Sequence, residues 1–260
     1  MCELRITGNA FKKGEIMRYF TKEWYTDSLV AEMCFQLRKT DKAATFSDKF
    51  FEKLYLIERK AYLKHCKRAA KFERRKYDEA ASGAEFDANY KTNLEFVKAN
   101  LPSEILDEVK DIRVLALGSV TFEIADKITR HCGRINRKCD MVRKKADEAM
   151  DASVDKLGGM LPRALGDIFG APVASIGGDG CGNTVITTSA EYTGVALRVT
   201  LGNAEQVELE EGLVGSMVCN YELLVTDSDK FEFSLLTLAE DSSLYTATFV
   251  SETFKVEEIV

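Results

Sequence analysis

Interruptions and long apolar runs are scarce in this chain. Its 260 residues include three prolines (Pro102, Pro162, Pro172), two histidines and one tryptophan. So few prolines exclude a proline-rich linker, and 45% apolar with 30% charged residues excludes a disordered chain. No window approaches the roughly 18 consecutive apolar residues of a membrane span, so no membrane is expected among its partners. Met1–Ile16, MCELRITGNAFKKGEI, lacks the apolar core and cleavage site of a signal peptide. A cytoplasmic location is therefore expected. The seven cysteines (2, 34, 66, 132, 139, 181, 219) are odd in number and far apart, as reduced structural thiols often are.

Charge is abundant but uneven. Of 42 acidic and 36 basic residues, 15 and three follow Gly170, so a net of +6 before it gives way to −12 after it. The basic charge clusters in Arg59–Lys76 and again in Arg130–Lys145. Lys64, Lys67, Arg68, Lys71, Arg74, Arg75, Arg134, Arg137 and Lys138 are the candidate anion-binding residues. Charge runs on long helices are more often solvated faces. Without interleaved aromatics or a zinc-finger spacing, nucleic acid is an unlikely partner. The basic helices could also neutralise the acidic region within the chain.

Up to about residue 169 the apolar spacing is helical. Phe20 and Trp24 share a face, and the tryptophan reads as a core anchor. Thr45-x-x-Asp48 resembles a capping box before a helix running to about Tyr77. Asp78–Ala84, with Ser82-Gly83, reads as a break, and Glu85–Asn100 then carries Phe86, Tyr90, Leu94 and Val97 at helical spacing. Pro102 suits a first helical turn, and 120–150 forms one long pattern despite Gly133. Residues 152–169, with Gly158-Gly159 and Pro162, read as two pieces.

After Gly170 the period becomes two: Val185, Thr187; Val195 to Leu201; Val207, Leu209; Leu223, Val225; Phe231 to Leu235; Tyr245 to Phe249. Turn residues separate these runs, giving about seven strands without intervening helices. The expected fold is α+β: a helical domain over 17–169 and an acidic, mainly antiparallel sandwich or small barrel over 170–260.

Candidate chemistry is thin. GGDGCG (177–182) lacks the Lys-Ser/Thr pair and following helix of a phosphate loop and reads as a hairpin turn. His131, Cys132 and Cys139 are weak metal candidates; no CxxC or HxxxH pair supports them. Adjacent His-Cys residues on a helix diverge by about 100° and cannot form a nucleophile–base pair. No catalytic residue and no cofactor is expected.

Lys12–Met17 back-translates to a purine-rich ribosome-binding site ahead of a start codon, so residues 1–16 are expected to be a translated leader, with Met17 the start. From there MRYFTKEWY (17–25) resembles the opening of the bacterial family catalogued as domain of unknown function 4085, and NLPSEILDEVKDIRVLALG (100–118) is similar to its second block. The β region matches less: members carry His-Asp at its entrance, where this chain has Phe169-Gly170-Ala171-Pro172. A later Trp pair is replaced by Met217-Val218. That family has no established activity to carry over.

The leading expectation is a non-catalytic binding or interaction protein, of the immunity or antitoxin type, whose acidic β domain takes a basic protein partner. Two alternatives stand beside it. One is an enzyme or small-ligand binder with a cleft between domains, near Tyr192, Tyr221, the glycine loop or the basic helices. The other is a nucleic-acid binder using the basic helices.

Overall fold

The computed structural model describes residues 17–158 and 163–259. The expected leader and the Gly159–Pro162 part of the two-piece segment lie outside the described residues. The chain is α+β: helices come first, two antiparallel sheets after them. Its described residues divide into two compact units, 27–137 and 17–26 with 138–158 and 163–259. The change from helix to strand comes near residue 170, but the units divide elsewhere. Residues 17–26 and the second half of the longest helix belong with the strands.

Helix α1 (Lys22–Glu32), which enters the first unit at Asp27, leads into a 3-10 turn and the two-residue strand β1 (Arg38–Lys39). Helix α2 is Asp48–Phe72, α3 Glu79–Asn100, α4 Ser103–Leu106 and α5 Ile112–Ala116. Strand β2 (Ser119–Val120) pairs in parallel with β1 and leads into α6 (Phe122–Lys156). Val97, Ile105, Leu115, Ile124, Ile128 and Cys132 form the core.

Local chemistry corrects several expectations here. The N-cap of α2 is Ser47, whose Oγ accepts the Phe50 N–H at 3.2 Å, rather than Thr45. The helix stops at Phe72, and Arg74 enters the left-handed region with φ 56°. Ser82-Gly83 does not break α3, which Asp78 caps through the Ala81 N–H (3.0 Å). Gly83 sits inside that helix, and the Arg59 guanidinium on α2 occupies the space a Cβ there would take. A glycine serving close approach looks, in sequence, like a glycine serving a turn.

The second unit holds eight strands in two four-stranded antiparallel sheets. They are β3 (Val173–Gly178), β4 (Asn183–Thr188), β5 (Ala196–Gly202), β6 (Glu205–Leu209), β7 (Met217–Val225), β8 (Phe231–Leu238), β9 (Leu244–Ser251) and β10 (Thr253–Ile259). The sheet orders are β10-β5-β4-β3 and β6-β9-β8-β7. Between them Ile186, Leu197, Val199, Leu223, Phe233 and Phe249 are buried together, the core of a sandwich. Two inward assignments differ from the alternation read above. On β4 the core residue is Ile186 rather than Val185, and on the edge strand β6 Val207 and Leu209 are exposed.

Candidate functional site

The glycine-rich loop is the β3–β4 hairpin turn. Asp179 Oδ1 accepts the amides of Cys181 (2.7 Å) and Asn183 (3.2 Å), while Gly180 and Gly182 adopt positive φ. The amides that a phosphate would need are taken by the loop's own carboxylate, and those amides hold the Asp179 acid below its ordinary range, after the Asn183 side chain.

Cys132 is buried, its thiol pushed up to about 11 by burial and then by the neighbouring Cys34 thiol. Cys139, also buried, lies in the other unit, where its carbonyl accepts Trp24 Nε1–H at 3.3 Å. Among the described residues no three His, Cys, Asp or Glu side chains converge as a metal site requires.

A cavity of about 320 Å³ in the first unit is lined by Ala43, Asp107–Asp111, Ser119–Thr121 and Glu123. Its acids are largely spoken for. Asp111 binds Arg113 through both oxygens at 2.9 Å, and Glu108 and Glu123 pair with Lys127. Thr121 Oγ1 accepts the Ile124 N–H at the start of α6. Among the described residues no hydrogen bond joins the Ser119 or Thr121 hydroxyl to an acidic or basic side chain, as an activated nucleophile would require.

The acidic tally of the β region also reads differently in three dimensions. Glu222 on β7 is fully buried and accepts the backbone N–H groups of Arg18 (3.0 Å), Tyr19 (2.8 Å) and Phe20 (2.7 Å). Arg18 Nη2 donates to Glu232 Oε2 on β8 (3.1 Å); its Nε lies 3.0 Å from the buried Oε1, off the hydrogen-bond line. Lys22 donates to both oxygens of Glu210, and Lys156 pairs with Asp229 at 2.8 Å. Lys230 and Lys255 pair with Glu252 and Glu257. With Asp179 and Asp241, which accept backbone amides in their own turns, eight of the fifteen acids hold a cation or an amide of the same chain, all in one unit. Neutralisation within the chain occurs, but Arg18, Lys22 and Lys156 carry it out, rather than the dense basic clusters. Sequence reading missed Glu222 because nothing local distinguishes a buried strand carboxylate from an exposed one.

What remains is α2. Its inner face meets α3 through Phe51, Tyr55, Phe86 and Tyr90, with the Tyr55 ring 5.2 Å from both Phe86 and Tyr90. Tyr55 donates to Asp87 (2.6 Å), and burial, then that carboxylate, pushes its phenol up to about 12. Its N-terminus is pinned where Asp48 meets Arg113 (2.9 Å), whose guanidinium lies 4.5 Å from the Phe46 and Phe51 rings. The helix is thus a fixed platform.

Its outer face has one sign. At about 100° per residue, Lys49, Lys53, Lys60, Lys64, Lys67, Arg68 and Lys71 fall within an arc of about 100°, opposite Phe51, Tyr55 and Tyr62. From Lys49 to Lys71 the stripe runs about 33 Å. All seven are exposed, and none forms an ion pair among the described residues. Leu56 and Ile57, 65% and 51% exposed, interrupt it between Lys53 and Lys60. They line an open groove of about 440 Å³ with Lys49, Glu52, Lys53 and Lys60.

The expected cluster is thereby sorted. Lys64, Lys67, Arg68 and Lys71 belong to the stripe. Arg74 lies past the helix end, Arg75 pairs with Glu73 and Arg59 with Asp87 (3.4 Å). Arg134 and Arg137 are exposed on α6 in the same unit, and Lys138 belongs to the other. Lys49 and Lys53 were missed because local density, rather than helical angle, was the signal followed. Comparison with family models, with curated proteins and with solved structures gives no match for this chain.

Proposed function

We propose that this is a non-catalytic binding protein that docks on a surface of closely spaced anionic groups through the outer stripe of α2. The observation that carries the reading is the set of seven exposed cations, without an ion-pair partner among the described residues, on one arc of a helix whose other face is fixed. Ordinary solvated helix faces mix signs or pair their charges at i, i+4, as Lys144 and Glu148 do on α6. A single-sign row instead repels itself and is relieved by a partner's anions. The acidic strands offer a weaker steering surface than their tally suggests, since their buried members already serve the fold.

The test is retention of the full chain on immobilised heparin, an anionic polymer. A protein of net charge −6 should still be retained, in a salt-dependent way. Reversal of Lys60, Lys64, Lys67 and Lys71 to Glu should abolish retention. Reversal of Arg130, Arg134, Arg137 and Lys145 on α6, an equal change in net charge, should leave most of it. Equal losses from both variants would defeat the assignment to α2.

A further inference from the structure

Resting on that reading, we infer that the anionic surface is a lipid bilayer bearing acidic headgroups, on which α2 lies flat in the interface plane. Three features of the stripe point there. The first is its narrow arc. A helix seated in a nucleic-acid groove meets phosphates on both flanks and base edges at its tip, so its cations spread to two sides and its tip carries hydrogen-bonding side chains. Here the seven cations share one arc of about 100°, and the arc holds no Asn, Gln, Ser or Thr. A plane can meet all seven together.

The second feature is the apolar pair. Leu56 and Ile57 project between Lys53 and Lys60, about one turn from each. Against phosphates these side chains would meet no apolar surface to bury against. At a bilayer they enter the acyl boundary while the flanking lysine stems snorkel to the headgroups. The third is composition. Six of the seven cations are lysines, compact point charges suited to a diffuse anionic field rather than to bidentate docking. Among the described residues no helix is long and apolar enough to cross a membrane. A contact in the headgroup plane needs no such run.

The experiment is flotation of the full chain with vesicles of phosphatidylcholine alone, or with about a third phosphatidylserine or phosphatidylglycerol, beside duplex DNA and single-stranded RNA in gel shift. Binding is expected on either acidic vesicle and not on neutral ones, and should weaken at least tenfold as salt rises from about 0.05 to 0.5 M. The Leu56→Ser/Ile57→Ser variant should bind acidic vesicles about tenfold more weakly yet keep its heparin retention. Heparin retention without vesicle binding overturns the lipid inference and leaves the anion-docking reading in place. So does nucleic-acid binding tighter than vesicle binding, or a double variant that loses nothing on vesicles. Loss of heparin retention in the unsubstituted protein overturns both.

Discussion

The outer face of α2 and the outer face of the β6-β9-β8-β7 sheet are both rich in charge, and they use it in opposite ways. On the sheet, Glu222 and Glu232 are buried on neighbouring strands, one opposite Ser234 and the other opposite Leu224, and held by residues 18–20. Beside them Ser234 and Thr248 share a hydrogen bond of 2.8 Å out of water. On α2 the lysines stand in solvent, and none forms an ion pair among the described residues. Charge taken out of water must be matched group for group, because the desolvation cost is repaid only by close partners. Charge left in water need match nothing, and a row of one sign then faces outward as a surface. The same residue types thus make a clasp in one place and a docking face in the other.

That contrast can be broken most directly at Glu222. Glu222→Ala leaves three amides without their acceptor, the Phe20 one buried and the other two part-buried, and urea unfolding should show a loss of about 3–5 kcal/mol. A loss below about 1 kcal/mol would mean that residues 18–20 find other acceptors and the clasp is incidental. A pH series probes the buried groups in each unit. Cys132 and Cys219 are each pushed by burial from 9.0 to about 11, and Tyr55 from 10.0 to about 12. These pKa values are raised on folding, so the folded chain keeps protons that the unfolded chain gives up. Stability should hold below about pH 9 and fall by roughly 1–3 kcal/mol as pH climbs through 11. A flat profile over that range would contradict the burial of these thiols. The smallest effect belongs to the stripe: Lys64→Ser with Lys67→Ser should move stability by no more than about 0.5 kcal/mol, while lowering the salt needed to elute the protein from heparin. A large destabilisation would give those lysines a structural part.

The N-terminal motif gains a physical explanation from the same contrast. In MRYFTKEWY, Arg18 reaches Glu232, the Arg18, Tyr19 and Phe20 amides reach Glu222, and Lys22 reaches Glu210. Phe20 stacks edge-on against Trp24 at 4.7 Å, and the indole donates to the Cys139 carbonyl on α6. Helical spacing showed the Phe20–Trp24 pair and the anchor role of the tryptophan. It did not show that the segment belongs with the strands, since that attachment is made by backbone amides, which every sequence possesses, to a carboxylate about two hundred positions away.

From the sequence alone came the α+β class, the change of period near Gly170, the β3–β4 turn and most helix positions. These rest on propensities and spacings within a few residues. The tertiary structure decided which charges are buried and which stand free, what fills the space beside Gly83, and which face of β4 and β6 meets the core. It also decided that the cations of α2, including Lys49 and Lys53, form one row rather than a cloud. Each of those depends on what lies opposite a residue in space: the Arg59 guanidinium against Gly83, the amides of residues 18–20 against Glu222, and the packed α3 aromatics that turn the α2 lysines outward.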